Sequence, residues 1–358
     1  MNILVVYGGK SCEHDISVIT GCLSKGLFDG NVTSGYFDKN NSCWLVPNNL
    51  TPAQHLTYVG KTAICFATGK GGVYLIRNKR ARFVDIDVVV NCCHGVNGED
   101  GCVAALCQMA SIPCVGSPLA ASAIAMDKWL TKCMLQQRNY PTLPAVCLKV
   151  GQDNEIYLSQ TKPLGYPVIV KPCVLGSSIG VVVCHNQVQL LDALGKAFSY
   201  CSTVLVEQAL TNFVEYNCAA MKDGGIVVAS QVSCPLSLSE LLTFEEKYIS
   251  APTLVPQDIP QQIQQDVESL TKQIYQDFCF EGVIRVDYLM DKSTNALYVN
   301  EINTIPGSLA YGLWQDKYTP LQYGNALVAQ AVADYRTKCS YTYTFPSVVL
   351  SGGHGKKK

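Results

Sequence analysis

Arg285 and Asp287 stand two apart in Ile284-Arg285-Val286-Asp287-Tyr288, and Glu301 and Asn303 stand two apart in Val299-Asn300-Glu301-Ile302-Asn303. In extended chain, residues two apart share a face. Pairing the two segments therefore puts a guanidinium, two carboxylates and an amide on one surface. Oxygen ligands of this kind suit Mg²⁺, which takes one or two carboxylates, waters and substrate phosphates in preference to a full protein cage. An adjacent arginine suits a phosphoryl group that gains charge in its transition state. A solvated face with an Arg–Asp pair would use the same residues. Thr304-Ile305-Pro306-Gly307 follows at once, however, and a Pro-Gly turn beside the acids supplies backbone N–H groups aimed at the same place.

A second constellation is Lys171-Pro172-Cys173-Val174-Leu175-Gly176-Ser177-Ser178-Ile179-Gly180, lying between two apolar runs, with its lysine closing the first. Small residues let backbone amides approach a phosphate, and the lysine adds a point charge for the same anion. A hairpin that only turns the chain has the same composition. The segment is not a G-x-x-x-x-G-K-[ST] loop; nor is Gly9-Lys10-Ser11, whose first glycine would have to stand at Leu4. A third constellation, His94-Gly95-Val96-Asn97-Gly98-Glu99-Asp100-Gly101, ends an apolar run, where ligands of open α/β sheets sit. Glu99 and Asp100 would equally favour the dipole of a following helix, and His94 the end of a strand.

These groups need elements to hold them. Residues 2–7 are apolar, Gly8-Gly9 turns, and Ile16, Ile19, Leu23 and Leu27 recur with helical spacing, which predicts strand, turn and helix. A second such unit follows: strand 87–91, helix 102–110 and strand 112–116. The alternation argues for an open parallel α/β sheet. Residues 119–138 are good helix formers, stopped by Pro141 and Pro144, so a boundary is expected near 118. Strands at 167–171, 181–184 and 204–207 with a helix at 188–198 predict a small α+β unit. A strand at 225–231, a helix with Ile263, Val267, Leu270, Ile274 and Phe278 on one face, strands at 283–290 and 297–303, and a last helix at 327–335 complete the reading. The expected division is 1–118, 119–211 and 212–345, with 346–358 a polar, disordered tail.

Composition narrows the function classes. Lys+Arg 27 against Asp+Glu 28 leaves a net charge of −1, which removes the usual reason to expect a nucleic-acid or anionic-membrane partner. With 48% apolar residues the chain can bury large cores, so disorder is excluded as its main state. No apolar stretch approaches the ~20 residues of a membrane span. The opening has no basic n-region, so a cytoplasmic location is expected. The 18 cysteines show no C-x-x-C pair and read as small, reduced hydrophobes.

Taken in order, Gly8-Gly9-Lys10-Ser11-Cys12-Glu13-His14, the H-G-x-x-G-E-D-G run at 94–101, Met126-Asp127-Lys128, the V-K-P…G-S-S-x-G loop, Glu207, Glu246-Lys247-Tyr248, R-x-D at 285–287 and N-E-x-N-T-x-P-G at 300–307 resemble the D-alanine:D-alanine ligases of the ATP-grasp superfamily. The resemblance covers residues 1 to about 335. It implies an ATP-grasp fold behind an N-terminal open-sheet domain, ATP as cosubstrate, two Mg²⁺ ions (with Mn²⁺ as a substitute) and small D-amino acids as partners, in a homodimer.

By the same resemblance Lys128, Lys171 and Lys247 contact ATP phosphates and Ser177-Ser178 close over them. Glu207 and Leu210 hold the adenine, and Glu215 the ribose, past one extra residue between Leu210 and Glu215. Asp287, Glu301 and Asn303 bind the metals. Glu13 holds the first amino acid's ammonium beside His94 and Glu99, and joins Ser177 and Tyr248 in a hydrogen-bonded trio. Arg285 and the N–H of Gly307 supply oxyanion donors. Relatives that use D-lactate carry histidine where Tyr248 stands, so an amine acceptor is implied. The Ser-Leu pair that usually holds the second carboxylate aligns with Gly312-Leu313, leaving Ser308 as a candidate for the missing hydroxyl. The lid after Tyr248, residues 249–255, is short and contains Pro252. D-serine as acceptor, or a nucleotide-binding relative without turnover, remain the alternatives.

Overall fold

The computed structural model describes residues 1–235, 259–347 and 350. The first sheet has eight strands: β1 (Asn2–Gly8), β2 (Asn31–Phe37), β3 (Cys43–Val46), β4 (Ala63–Ala67), β5 (Gly72–Arg77), β6 (Arg80–Asp85), β7 (Val88–Asn91) and β8 (Cys114–Val115), in the order β6-β5-β4-β3-β2-β1-β7-β8. β1, β7 and β8 run parallel, as the strand-helix alternation predicts, and β2, which the sequence reading left unassigned, runs parallel beside β1. β3 to β6 form an antiparallel meander that the sequence reading left unassigned, because its short strands carry charges on the exposed edge in place of a clean apolar run. β1 and β7 are parallel neighbours, so the loops after both open at one edge, which brings Glu13 and His94 together.

Between β1 and β2 lies α1 (His14–Ser24), as expected, but its inward face differs from its apolar spacing. Ile16 and Leu27 are buried as expected, but Ile19 and Leu23 are 41% and 61% exposed, whereas Ser17, Thr20 and Ser24 are buried. Close approach decides this: a Cβ at Gly21 would lie 2.2 Å from the Tyr7 ring, so small residues must face the strand.

After α2 (Pro52–His55) and α3 (Cys102–Met109), the helix expected over 119–138 is two: α4 (Leu119–Met126) and α5 (Lys128–Gln137). Asp127 leaves the helical conformation (φ −90°, ψ 109°), and its carboxylate accepts from the N–H groups of Trp129 and Leu130 at 2.9 and 3.0 Å. The corner turns Lys128 toward the glycine-serine loop, where its N–H donates to Cys173 O at 2.9 Å.

The second sheet, order β11-β10-β12-β9, contains β9 (Ala145–Lys149), β10 (Val168–Pro172), β11 (Val182–Cys184) and β12 (Thr203–Gln208), backed by α6 (Asn154–Thr161) and α7 (Gln187–Ala197). β9 and α6 were not legible in the sequence. The third sheet, order β14-β13-β15-β16, holds β13 (Phe213–Asp223), β14 (Ile226–Ala229), β15 (Val283–Asp291) and β16 (Leu297–Asn303). β13, also missed, supplies Glu215. α8 (Gln261–Asp277) packs Val267, Ile274 and Tyr275 on the face of this sheet that carries Tyr216, Cys218, Val286 and Tyr288, leaving the other face for chemistry.

α9 (Pro320–Cys339) starts earlier than expected because Thr319 and Gln322 form a capping box with Pro320 at the first position. Its Tyr323, Leu327 and Ala331 join Val5, Tyr7 and Val90 in one core with Ala219 and Met221, so the first and third sheets are locked together. Among the described residues no helix is long and apolar enough to cross a membrane. Apart from 346, 347 and 350, the expected tail lies outside the described residues.

Candidate active site

The pairing inferred from spacing is present: Arg285 lies opposite Asn303 and Asp287 opposite Glu301. β13 adds Asn217 opposite Asp287, and Glu215 two residues away on the same face. Between Asp287–Glu301 and Tyr288–Val299 the register shifts, which leaves Asn300 as an extra residue in β16. Such a bulge re-aims a side chain. Here Asn300 reaches the second sheet, accepting a hydrogen bond from Lys171 Nζ at 3.0 Å.

Asp287 is 3% exposed and accepts Arg285 Nε at 2.6 Å and Nη2 at 2.8 Å, with Asn303 Nδ2 at 3.1 Å. The Asn217 amide nitrogen, turned toward the acids, meets Asp287 at 3.1 Å and Glu215 at 3.2 Å. Burial opposes the charge on Arg285, but Asp287, Glu301 and Glu215 outweigh it and hold the guanidinium firmly protonated. Among the described residues no three His, Cys, Asp or Glu side chains converge as a protein cage for a metal. Asp287, Glu301 and Asn303 instead make an open set of hard oxygen donors, the kind Mg²⁺ takes when phosphates complete its shell.

Opposite this face stands the loop 173–181. Ser177 and Ser178 adopt left-handed backbone (φ 53° and 59°), and Ser177 Oγ donates to the Glu13 carboxylate. Glu13, 6% exposed, precedes α1 and is a point of convergence. A Cβ on Gly95 or on Gly176 would fall 2.7 Å from its carboxylate, so both loops need glycine to come this close. Lys128 Nζ donates to Leu175 O in the same loop. Lys171 and Lys132 both donate to Glu207, which is 1% exposed and lies beneath them.

A cleft of about 290 Å³ joins these groups: Glu13, Ser177, Lys128, Arg285, Glu301 and Gly307 line it. A narrower slot of about 70 Å³ between the second and third sheets has apolar walls, Ile169, Val181, Leu210, Phe213 and Leu289, and polar ends at Lys128, Lys171, Ser178, Glu215 and Glu301. An apolar slot with cations at one end suits a flat base and its phosphates.

At the N-terminal side, Glu99 accepts from the N–H groups of Gly95 (3.2 Å), Thr304 (3.1 Å) and Ile305 (3.3 Å), fastening the 94–101 loop to the turn after β16. Burial and then the charge of Glu13 push its carboxyl up to about 7. His94 is 5% exposed; burial, with Arg285 adding, draws it down to about 4, so it is neutral at physiological pH. Its Nε2 lies 2.8 Å from Thr20 Oγ1, which accepts the Ser308 N–H at 3.4 Å.

Ser308, Leu309 and Ala310 all have positive φ (49°, 53° and 56°), a strained turn held by Tyr323 OH donating to Leu309 O at 2.6 Å. None of the acceptor-side candidates Ser308, Gly312 and Leu313 lines the cleft, whose wall ends at Gly307. Ser308 is half-buried beside it, Gly312 is exposed and Leu313 packs in the first core, because the left-handed turn carries the chain away at residue 308. Lys247, Tyr248 and the 249–255 lid lie outside the described residues.

Sequence reasoning missed Lys132, Thr20, Asn217 and Asn300. The first three had a signal: Lys132 is one helical turn from Lys128, Thr20 is on the face of Ser17, and Asn217 is two residues from Glu215 in a strand. The bulge that aims Asn300 had none.

Residues 2–117 match the family described as D-ala D-ala ligase N-terminus, and residues 134–323 the family described as D-ala D-ala ligase C-terminus. A D-alanine–D-alanine ligase of Campylobacter concisus is 32% identical over 99% of this chain and 100% of its own length. The D-alanine–D-alanine ligase structure from Helicobacter pylori superposes with a TM-score of 0.76 at 26% identity, covering 93% of this chain and 98% of that one. The corresponding structure from Coxiella burnetii gives a TM-score of 0.80 at 22% identity over 95% and 96%, a likeness of fold.

Proposed function

Because this chain belongs to the D-alanine–D-alanine ligase family, ATP-dependent enzymes that form a peptide bond on an ATP-grasp fold, we propose that it joins two D-alanines into D-alanyl-D-alanine for peptidoglycan precursor synthesis. The observation that carries this reading is the convergence of three separate chain segments, Glu13, the Ser177 loop and the Arg285–Asp287 strand, on one cleft. The base of ATP fits the slot walled by Ile169, Leu210 and Leu289, over Glu207, with Glu215 at the ribose and Lys128, Lys171 and Lys247 at the phosphates. Asp287, Glu301 and Asn303 hold two Mg²⁺ ions, which neutralise phosphate charge when bound; Mn²⁺ substitutes.

Glu13 binds the ammonium of the first D-alanine and leaves its carboxylate to attack the γ-phosphate, forming an acyl phosphate as the bond to the β-phosphate oxygen breaks and ADP leaves. The neutral His94 adds no positive charge to hold that carboxylate back. Ser177 and Ser178 close the loop over the phosphates, with Ser177 tied to Glu13. Water is thereby kept from the acyl phosphate. The second D-alanine, as its free amine, then attacks the carbonyl, and the tetrahedral adduct collapses with loss of inorganic phosphate and of the nitrogen's proton. Arg285 and the N–H of Gly307 take the oxyanion, which strengthens binding only as charge develops there. Ser308 is the candidate for the acceptor's carboxylate. The same reading puts the enzyme in the cytoplasm as a homodimer, with no nucleic-acid or membrane partner.

The deciding experiment incubates purified protein with MgATP and D-alanine and scores ADP and dipeptide together, with D-serine and D-lactate as competing acceptors. Equal amounts of ADP and D-alanyl-D-alanine support the proposal. If neither product appears across the acceptor panel, it is wrong.

A further inference from the structure

Glu207 faces two lysines from two different elements. On the second sheet Glu207 pairs with Ile169 and Lys171 with Leu205, so Glu207 and Lys171 are diagonal neighbours on one face, and their charged atoms meet at 2.8 Å. From α5, Lys132 reaches the carboxylate's other oxygen and also donates to Leu143 O at 2.9 Å. All three side chains are buried: Lys132 is 4% exposed, Lys171 7% and Glu207 1%. Burial alone would disfavour the Glu207 carboxylate, and the two lysines reverse this, holding it below its ordinary range.

The charge balance of this cluster is uneven. One carboxylate faces two ammonium groups, so one positive charge is left over. Lys171 is the member that touches the nucleotide slot and Asn300; Lys132 lies outside that slot, in the wall of the larger cleft, with its second bond on a backbone carbonyl. If Lys132 were absent, Lys171 and Glu207 would form a closed neutral pair, and the attraction of Lys171 for a phosphate would be largely cancelled at its source. For folding alone, such a cluster is a poor bargain, since taking three charges out of water is offset only by good mutual geometry, and apolar side chains would serve as well.

Resting on the proposed ATP site, we infer that Lys132 is a positioning residue for nucleotide binding: it occupies half of the buried Glu207 carboxylate so that Lys171 keeps a net positive charge to offer the phosphates. Lys132 itself need not touch the nucleotide. Its contribution passes through Glu207, so it depends on the presence of that carboxylate.

The test measures MgADP affinity by calorimetry and KM for ATP and for D-alanine in the parent, Lys132→Met, Lys132→Arg and the double variant Lys132→Met/Glu207→Gln. Lys132→Met is expected to weaken MgADP binding and raise KM for ATP by about tenfold, with KM for D-alanine within about twofold. Lys132→Arg keeps the charge and recovers most of the affinity. The double variant should bind MgADP more tightly than Lys132→Met, because removing the anion frees Lys171 again; Gln keeps the shape and an acceptor oxygen. Unchanged MgADP affinity in a folded Lys132→Met protein overturns the inference, even if its Tm falls. If Lys132→Met does not fold, the double variant is compared with Glu207→Gln alone, which already carries any lost adenine contact. Equal MgADP affinity in the two supports the inference, because without the carboxylate Lys132 has nothing to occupy, and a further loss of about tenfold refutes it. A parent that fails to bind MgADP would overturn the functional reading as well; a parent that binds beside an indifferent Lys132→Met variant overturns this inference alone.

Discussion

Replacing Ser177 by alanine removes the hydroxyl that ties the loop 173–181 to Glu13, 164 residues away in sequence. The acceptor is a carboxylate 6% exposed, and the donor sits on backbone with φ 53°, a conformation that alanine tolerates no better than serine. The closed loop thus loses one of its anchors while keeping its strain; the bond from Lys128 Nζ to Leu175 O remains. A hydrogen bond to a charged group contributes about 1.5–3 kcal/mol, and with Ser177 itself half-buried the lower part of that range applies. A loss of about 2 kcal/mol corresponds to about 30-fold in the closed population. We expect kcat/KM for D-alanine at saturating MgATP to fall by about that factor. Circular dichroism and Tm should stay near the parent's, since the contact joins two loops and supports neither core. Glu13→Gln should cost more, because Glu13 also meets the amino acid, and the Ser177→Ala/Glu13→Gln double variant should lose less than the two losses multiplied, a coupling of about 1 kcal/mol or more. Additive losses, or a Ser177→Ala enzyme within twofold of the parent, would refute the loop-anchoring argument.

Other expectations follow from the same geometry. Asp287→Asn removes the carboxylate that meets Arg285 at 2.6 and 2.8 Å and weakens the metal set; kcat should fall by about a hundredfold or more, and turnover within tenfold of the parent would contradict the assignment. Ser308→Ala should raise KM for the acceptor D-alanine by about tenfold, the low end for a hydrogen bond to a charged carboxylate, with KM for ATP unchanged; equal acceptor KM values would remove Ser308 from the site. For His94 the sign is set by its low folded-state value of about 4. The unfolded chain takes up the proton first on acidification, so the contribution is present above about 6.5 and is lost as pH falls toward 4, a change of about 3 kcal/mol for a fully buried group. Urea titrations at pH 7, 5.5 and 4.5 should therefore show His94→Gln losing less stability on acidification than the parent, and parallel curves would refute it.

Much of the site was readable from one-dimensional spacing because its strands have period two. Arg285 with Asp287, and Glu301 with Asn303, could share a face only if both segments were extended, and both are. The motif order was equally legible, because eight short motifs in one order are specific even where a single one, such as the glycine-serine loop, has the composition of an ordinary turn. The helix α1 was also placed correctly, and Ile16 and Leu27 are buried as its spacing predicts, yet Ile19 and Leu23 are not, because close packing against Tyr7 selects small residues there. The break at Asp127 was written in the N-capping preference of aspartate, and helix propensity on both sides obscured it.

By itself the sequence determined the local chemistry: which residues carry charge, which can turn left-handed, and which short segments alternate. Tertiary structure decided which of those groups meet. Glu13 and Ser177, Lys171 and Asn300, and Glu99 and the turn after β16 are each separated by more than a hundred residues. No periodicity spans such distances, because it reports only on neighbours within one element. The partners are set by sheet order, by one extra residue in β16, and by glycines that allow two loops to close on the same carboxylate. The charge on Lys171 is likewise a property of its surroundings, since a lysine's worth to a phosphate depends on which counter-ions the fold has already placed beside it.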